Sequence, residues 1–401
     1  SNRFHEKKKV IMGISAAFIL VFFTVYAASC LVTCGKLFST LFGAPYITMM
    51  LVGAAFVLIY TLLGGFLAES ASDFMQAIVM VVVLVAVLTL GVASAGGLGA
   101  VFENVKDFPG FLEFFGIADP ATEGGVQLAV NGVPSFGARQ NYGALNVASM
   151  LAWGLGYFGM PQVLLRFMAI RREDELKRAR RVAMVWVVIS LAAAIMIGIV
   201  GRALFPTALT TASEAENVFI YISRSLLPAA LAGLAMAGIL AATISSSDSY
   251  LLIAASAFAK NAYQGIFKKN ATDKEVMTLS RIMLPVITAI AIVIALDENS
   301  VIFTIVSFAW AGFGATFGPL VLFSLFWKRM TRAGAIAGML SGGGMVFIWK
   351  LVIKPLGGIF GIYELLPAFI VSGIFIIVVS LLTNAPSKEI QDEFERVKKG
   401  A

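Results

Sequence analysis

Charged residues and cysteine are scarce in this chain of 401 residues. Only 13% of the residues are charged and 59% are apolar, whereas soluble domains carry roughly 25% charged residues. A soluble core could not hide that much apolar surface, so this composition excludes a soluble globular protein. The only cysteines, Cys30 and Cys34, lie four apart in one apolar run, which excludes a disulfide framework.

Groups that perform enzymatic chemistry are scarce as well. The single histidine, His5, lies in a polar leader, and the chain has neither a phosphate-binding glycine loop with a lysine nor a metal-ligand spacing. We therefore expect no enzyme activity and no cofactor apart from a coupling ion. The net charge of +7 comes from short basic clusters between apolar runs, so we expect a lipid bilayer and not nucleic acid as the partner.

Long apolar runs fill most of the chain. A helix needs about 20 apolar residues to cross a hydrocarbon core of about 30 Å. Runs of that length predict an all-α polytopic membrane protein, with one transmembrane domain over residues 1–401. The ten predicted spans are 10–38, 45–66, 72–97, 144–168, 182–206, 228–260, 276–296, 300–327, 333–353 and 363–383.

The distribution of lysine and arginine predicts the orientation of these spans. Cytoplasmic flanks retain positive charge, and 23 of the 30 basic residues lie in the amino-terminal leader and in the flanks on the same side of the membrane as that leader. Both ends of the chain are therefore predicted to be cytoplasmic, in the plasma (inner) membrane. Residues 98–142 then form an extracellular loop, and residues 384–401 form a cytoplasmic tail that contains an amphipathic helix.

The segment ILAATISSSDSYLL, residues 239–252, places polar side chains inside an otherwise apolar span. At helical spacing one face carries Ala242, Ser245, Ser246 and Ser249, with Asp248 beside them. Hydroxyl, carboxylate and carbonyl oxygens suit a hard monovalent cation. Alternatively, the serines only let helices approach closely and bond to their own backbone. The carboxylate favours an ion path, because a charge at the bilayer centre costs roughly 2.5–3.5 kcal/mol.

The segment GGFLAESASDFMQ, residues 64–76, forms the predicted turn between the second and third spans. Gly64 and Gly65 allow a tight turn, and Asp73 is predicted to begin the next span. An aspartate at a helix start is either a cap or dipole partner or, in a membrane, part of an ion path. Both roles are open for Asp73.

The segment WGLGYFGMPQVLLRFMA, residues 153–169, interrupts a predicted span with three glycines and Pro161. Interrupted spans free backbone groups and often line a solute site at the midplane. Trp153 and Tyr157 are four apart and can present one aromatic face to a solute. Ordinary packing or anchoring at the membrane interface is the alternative role for both rings.

These three segments closely resemble the sodium:solute symporter family, and within it the sodium/proline symporters. FFTVYAAS at 22–29 and FAWAGFGATFGPLVLFSLFWKRMTR at 308–332 extend the resemblance to nearly the whole chain, about 4–386. The resemblance implies a transporter fold of five plus five helices in inverted repeat, incomplete at the N-terminus. Core helices three to ten match, and the first three spans of the family do not. It also implies sodium-coupled symport of a small amino acid, with L-proline as the leading solute.

The resemblance also implies which residues form a sodium site and a solute site. The sodium site implied by the family uses the backbone of Ala242 and the hydroxyls of Ser245 and Ser246. The implied solute-binding residues are Tyr26, Trp153, Tyr157 and Pro161.

We further predict a second cation site at Asp73, Asp248 and Ser249, on the cytoplasmic side of the first. In several family members a serine or threonine stands at the position of Asp248, so the carboxylate here would change the number of ions or their affinity. Two carboxylates that approach each other in a poorly solvated region repel, and a cation or shared proton relieves that repulsion.

Three other functions remain open. The chain could move another small organic solute by sodium symport, it could be a membrane sensor built on a transporter fold, or it could be a passive channel. No ring of charged residues and no filter-like repeat supports the channel.

Overall fold

The helices of the structure, a computed structural model that describes residues 2–63 and 66–398, are mostly long and apolar. Within those residues nine helical segments are long and apolar enough to cross a membrane. The chain is thus an α-helical, multi-pass membrane protein, as predicted. The α-helices are α1 Val10–Phe42, α2 Tyr46–Leu63, α3 Phe66–Ser94, α4 Leu98–Val105, α5 Ala144–Leu151, α6 Trp153–Gly156, α7 Pro161–Met168, α8 Glu175–Leu204, α9 Ala212–Ala215, α10 Val218–Leu226, α11 Ala229–Ser256, α12 Asp273–Ile294, α13 Ile302–Phe326, α14 Arg332–Ile348, α15 Leu365–Leu382 and α16 Lys388–Lys398.

Residues 98–142, predicted as a loop, contain regular structure of their own. After α4 come six two-residue strands: β1 Gly116–Ile117, β2 Thr122–Glu123, β3 Val126–Gln127, β4 Ala129–Val130, β5 Val133–Pro134 and β6 Gln140–Asn141. They pair antiparallel as β1 with β6, β2 with β3, and β4 with β5. Glycines with positive φ, such as Gly124 and Gly125, form the turn between β2 and β3.

The predicted span 144–168 is a run of short helices and not one continuous helix. After α5 and α6 the chain makes a 3-10 turn over Tyr157–Gly159, and Pro161 then begins α7. The glycines let this broken segment approach α13 closely. A Cβ at Gly156 would lie 2.0 Å from Trp310 Nε1, and one at Gly159 would lie 2.3 Å from the Phe313 carbonyl oxygen.

Helix boundaries differ from the predicted ones at two places that concern the polar segments. Helix α3 begins at Phe66, so Asp73 lies in its third turn and cannot be the N-cap, which is the residue that immediately precedes the first turn. The predicted Gly64–Gly65 turn lies outside the described residues. Helix α11 continues as a π-helix over Ala257–Phe267, which lengthens this membrane segment beyond the predicted residue 260.

Two clusters of buried apolar side chains hold the helices together. One centres on α1 and α13, where Phe22 and Phe23 both contact Phe313, with ring centroids 5.5 and 4.3 Å apart. The other joins α3, α4, α8 and α10. Many large apolar side chains on α2, α3, α8 and α15 are exposed. In a bilayer these side chains would contact the lipid chains, so they do not have to be covered by other parts of the protein.

The leader and the tail lie at the same end of the helix bundle, which we call the terminal end. The Arg3 guanidinium donates to the Ser324 carbonyl near the C-terminus of α13, and it lies 5.0 Å from the ring of Phe394 in α16. His5 Nε2 lies 2.7 Å from the carboxylate of Glu393, also in α16. The opposite end, which carries the N-terminus of α13 and the β-strands, is called the far end.

Candidate functional site

A central cavity of about 510 Å³ lies between α1, α3, α8, α10, α11 and α13. This volume is within the range of small-molecule sites, about 300–1,000 Å³. Most of the lining is apolar, and the described lining residues include no charged side chain. The polar lining comes from α1 and α11, namely Tyr26, Ser29, Thr33, Thr243, Ser246 and Tyr250.

Three of the predicted site residues meet in this cavity. Tyr26, predicted to bind solute, lies on α1, and Ala242 and Ser246, predicted to bind sodium, lie four apart on α11. Positions four apart share one helix face, which explains why both reach the same space. The structure therefore brings a predicted solute residue and two predicted ion residues together.

Tyr250 is a cavity residue that the sequence analysis missed. Its ring stacks on Tyr26, with centroids 4.2 Å apart and an interplanar angle of 23°. It lies one helical turn after Ser246, so extending the spacing from Ala242 to Ser246 by four residues would have found it. The two rings form an aromatic wall beside the hydroxyl groups.

The hydroxyls of α1 have their protons engaged with the backbone. Ser29 Oγ donates to the Tyr26 carbonyl at 2.7 Å, and Thr33 Oγ1 donates to the Ser29 carbonyl at 2.9 Å. A hydroxyl that donates in this way keeps acceptor lone pairs. The cavity can thus offer neutral oxygen ligands to a cation and an aromatic surface to an apolar ring.

Ser245, the third predicted sodium residue, lies on a different surface from Ser246. It borders a groove of about 1,170 Å³ between α3 and α8. Its hydroxyl donates to Asp73 Oδ1 at 2.5 Å, and Asp73 Oδ2 accepts from Arg166 Nη2 at 2.6 Å. Arg166 counted only as a basic flank residue in the sequence, because its partner lies 93 residues away.

Asp248 and Ser249, predicted to join Asp73 in a second cation site, are both buried in α11. Asp248 is 2% exposed, and its Oδ1 accepts from the Ser249 backbone N–H at 2.8 Å. Asp73 makes its described contacts with Ser245 and Arg166 instead. The guanidinium of Arg166 already compensates the charge of Asp73. Repulsion between Asp73 and Asp248 is therefore no longer a reason to expect a cation between them.

The remaining predicted solute residues, Trp153, Tyr157 and Pro161, do not line the central cavity. The Trp153 ring stacks on Trp310, and the Trp153 carbonyl accepts from Trp310 Nε1 at 3.0 Å. Tyr157 is 47% exposed and meets Trp310 edge to face. Pro161 is the first residue of α7. Trp153 instead lines a second cavity of about 320 Å³ at the far end.

An ion pair lies at the far end of the bundle, next to the start of α13. Lys36 of α1, which is 7% exposed, has its Nζ 3.2 Å from Glu216 Oε2. The Glu216 carboxylate also accepts from the backbone N–H groups of Ile302 and Phe303 at the start of α13. We call Lys36, Glu216 and this helix start the far-end latch. Since Ile302 also lines the cavity, the latch ties α1, the α9–α10 segment and α13 together at the edge of the cavity.

Within residues 2–63 and 66–398, no three His, Cys, Asp or Glu side chains form a group that could hold a metal ion. The side chains that line the central cavity carry six hydroxyls and one thiol, that of Cys30. Hydroxyl groups suit a transient alkali cation better than a resident transition metal, which prefers several imidazole or thiolate ligands.

Comparison with known proteins gives one family. The family model described as sodium:solute symporter family matches residues 1–342. The sodium/proline symporter of Haemophilus influenzae is 41% identical over 410 residues, which cover 99% of this chain and 76% of that protein. The high-affinity proline transporter PutP of Bacillus subtilis is 37% identical, with 98% of this chain and 77% of that protein covered.

A solved structure also resembles this chain. It is the substrate-bound, outward-open state of a Na⁺-coupled sialic acid symporter, with a TM-score of 0.68 and 16% sequence identity. The match covers 94% of this chain and 75% of that one. It shows that the two proteins share a transporter fold.

Proposed function

Because the chain belongs to the sodium:solute symporter family, we propose that it couples the entry of sodium to the uptake of a small amino acid, with L-proline as the solute. The chain is a transporter and not an enzyme. The observation that carries the proposal is the central cavity, where Tyr26 meets Ala242 and Ser246. The names of the relatives, which are proline symporters and transporters, support proline.

The cavity gives each transported species a different surface. The Ser246 hydroxyl and the backbone at Ala242 offer oxygen ligands to sodium, and the stacked rings of Tyr26 and Tyr250 offer an aromatic wall to the pyrrolidine ring of proline. Because α11 carries both the ion ligands and Tyr250, an ion bound at Ser246 would fix the position of the aromatic wall. This shared helix is a physical basis for coupling.

Uptake of labelled proline tests the proposal. The chain is reconstituted into liposomes, and uptake is measured with an inward sodium gradient, with sodium replaced by potassium, and with unlabelled amino acids and sialic acid as competitors. We expect uptake and equilibrium binding of proline only with sodium, with proline as the best competitor. Proline binding that is equal in sodium and potassium would contradict sodium coupling, and a better competitor would replace proline as the solute.

We also propose that a second cation pauses near Asp73 on its way to the cytoplasm, as predicted for Asp73, Asp248 and Ser249. The contact between Asp73 and Ser245 supports the part of this proposal around Asp73. In Asp73→Asn and Asp248→Ser we expect the Hill coefficient for sodium to fall and the pH dependence of uptake to change. If both variants keep the sodium stoichiometry and the pH profile of the unmodified protein, neither residue belongs to an ion site.

A further inference from the structure

A second cavity, separate from the central one, lies at the far end of the bundle. It has a volume of about 320 Å³. Phe303 in its wall is at the start of α13, whereas Ser324, which the leader contacts, is near the end of that helix. At 1.5 Å per residue these positions are about 30 Å apart along the axis. The cavity therefore opens on the opposite side of the bundle from both termini.

Two lysines supply the charge of this far-end cavity. Lys350 and Lys354 both line it, in a π-helical turn and the 3-10 turn after it, where α14 loses its regular form. π-Helical turns occur frequently at functional sites. The described lining residues include no acidic side chain. The cavity thus presents positive charge only.

The carboxylate of Glu364, which pairs with the two lysines, is fully buried and does not line the cavity. Lys354 Nζ lies 3.0 Å from Glu364 Oε2, and Lys350 Nζ lies 3.6 Å from Glu364 Oε1. The second distance is too long for a hydrogen bond, and Glu364 Oε1 has no hydrogen-bond partner among the described residues. Two ammonium groups against one carboxylate leave one positive charge in excess.

The spacing of the ammonium groups already matches a carboxylate. Each lysine faces a different oxygen of Glu364, so the same pair can also face the two oxygens of a second carboxylate on the cavity side. Lysine carries three N–H donors, and Lys354 uses one of them on Glu364. Charge-assisted hydrogen bonds of this kind are among the strongest in proteins.

Aromatic rings form the rest of the cavity wall. Trp153 stacks on Phe303 and on Tyr363, in each case with centroids 5.6 Å apart. The hydroxyls of Ser149 and Tyr363 are engaged within the protein, Ser149 with the Tyr363 N–H and Tyr363 with the Ser307 carbonyl. The wall is thus fixed before a ligand enters, and it offers flat apolar surface next to the ammonium groups.

From this juxtaposition we propose that the far-end cavity binds a small organic carboxylate, with its anionic group at Lys350 and Lys354 and its apolar body against Trp153. The aromatic wall favours an organic anion over chloride, which has no apolar part to stack. This site goes beyond the proposed function. A carboxylate bound at the far end lies outside the central cavity, and its binding does not require sodium.

Calorimetric titration in the absence of sodium tests the site apart from symport. The protein is placed in nanodiscs of phosphatidylcholine, which lack anionic headgroups, in N-methylglucamine methanesulfonate buffer. The probe is cyclopentanecarboxylate, which has a carboxylate and an apolar ring but no amine. Pyrrolidine, a cation under these conditions, and chloride are titrated for comparison.

Lys350→Gln is the decisive variant, because it keeps the hydrogen bond from Lys354 to Glu364 and so leaves the buried carboxylate paired. We expect the probe to bind the unmodified protein saturably and to bind Lys350→Gln about tenfold or more weakly, the loss of one charge-assisted hydrogen bond. Lys350→Arg should keep most of the affinity. Lys106→Gln, which removes a lysine from the exposed pair with Glu103, is the matched control and should bind as the unmodified protein does.

Three outcomes would overturn the site. The unmodified protein could show no saturable binding at millimolar probe concentration, Lys350→Gln could bind the probe within twofold of the unmodified protein, or chloride could bind as tightly as the probe does. None of these depends on sodium. Failure of sodium-driven proline uptake would therefore leave the far-end site untouched, and failure of the site would leave symport untouched.

Discussion

Three consecutive serines of α11 serve three different surfaces. Ser245 faces the groove and Asp73, Ser246 faces the central cavity, and Ser247 donates to the Thr243 carbonyl at 2.6 Å. With 3.6 residues per turn, neighbours on a helix point about 100° apart. Of the three serines, only Ser246 lines the central cavity.

Ser246→Ala should weaken sodium activation of proline uptake by roughly 10- to 100-fold. A hydrogen-bonding group lost from a charged partner costs about 1.5–3 kcal/mol, and alanine is well tolerated in a helix. The measurement is the sodium concentration for half-maximal uptake, normalised to protein level. Ser247→Ala is the matched control, because its hydroxyl is buried and bonded to its own helix. An equal sodium dependence in the two variants would remove Ser246 from the ion site.

Trp153→Ala and Tyr157→Ala should raise the apparent KM for proline or abolish uptake. Neither ring lines the central cavity, but both pack on Trp310 of α13, face to face for Trp153 and edge to face for Tyr157. Helix α13 lines that cavity through Ile302 and Val306, and an aromatic contact contributes about 0.5–1.5 kcal/mol to holding this helix in place. We therefore expect at least a severalfold rise in KM, measured at saturating sodium. Trp327→Ala, which removes a tryptophan after the other end of α13, should leave KM unchanged. Unchanged kinetics in both test variants would place these rings outside the solute path.

Some of the residues that the sequence singled out meet in one cavity, but the sequence did not predict how the others are grouped. The spacing of Ala242 and Ser246 and the resemblance at Tyr26 identified three residues that meet in one cavity. No local pattern could show that Arg166 pairs with Asp73, or that Trp153 lines a separate cavity. Contacts between elements far apart in sequence depend on packing, which periodicity does not describe.

At the scale of helices, α1, α13 and the α9–α10 segment depend on the far-end latch. Glu216 accepts two backbone N–H groups at the start of α13 that have no partner within the helix. Its negative charge also suits the positive end of the helix dipole. One side chain thus completes a helix start and neutralises the buried Lys36.

Glu216→Ala should lower the free energy of unfolding by about 3 kcal/mol, because it leaves a buried lysine without its counterion. The measurement is the melting temperature of the purified protein in detergent. Lys36→Met combined with Glu216→Gln should recover part of the loss, since no unpaired charge then remains. Glu103→Ala breaks the exposed pair with Lys106 and should change stability by less than about 1 kcal/mol. Similar effects of Glu216→Ala and Glu103→Ala would contradict the role of the latch.

Hydropathy predicts which segments form long membrane helices better than it predicts where each helix begins and ends. Nine predicted spans correspond to long helices, since an apolar run of that length has few alternatives in a bilayer. The exact helix ends were less predictable. Helix α1 runs on to Phe42, four residues past the predicted end, and stops only where Gly43 adopts a φ of +64°. Polar residues that face a partner helix do not end a helix, which is why α3 begins well before Asp73.

The whole molecule has two chemically different ends. The terminal end gathers the leader, α16 and the inner flanks, with ion pairs such as Glu6 with Arg332 and Lys328 with Glu395. The far end carries the β-strands, the latch and the lysines of the second cavity. The predicted charge asymmetry therefore corresponds to a real division of the structure, with the leader and the tail on one side.

The division predicts that the terminal end faces the cytoplasm, because cytoplasmic flanks retain lysine and arginine. Single cysteines can decide this in intact cells, once the buried Cys30 and Cys34 are replaced by alanine. Val130→Cys lies in β4 at the far end and Lys269→Cys lies in the polar turn before α12, and both positions are exposed. We expect an impermeant maleimide to label position 130 and to spare position 269. Permeabilised cells provide the control, since both cysteines should then react.

Ser387→Cys, an exposed position just before α16, should behave as position 269 does, because the leader holds α16 at the terminal end. Labelling of positions 269 and 387 in intact cells, with position 130 protected, would reverse the orientation. It would then place the far-end lysines in the cytoplasm, where an external carboxylate could not reach them.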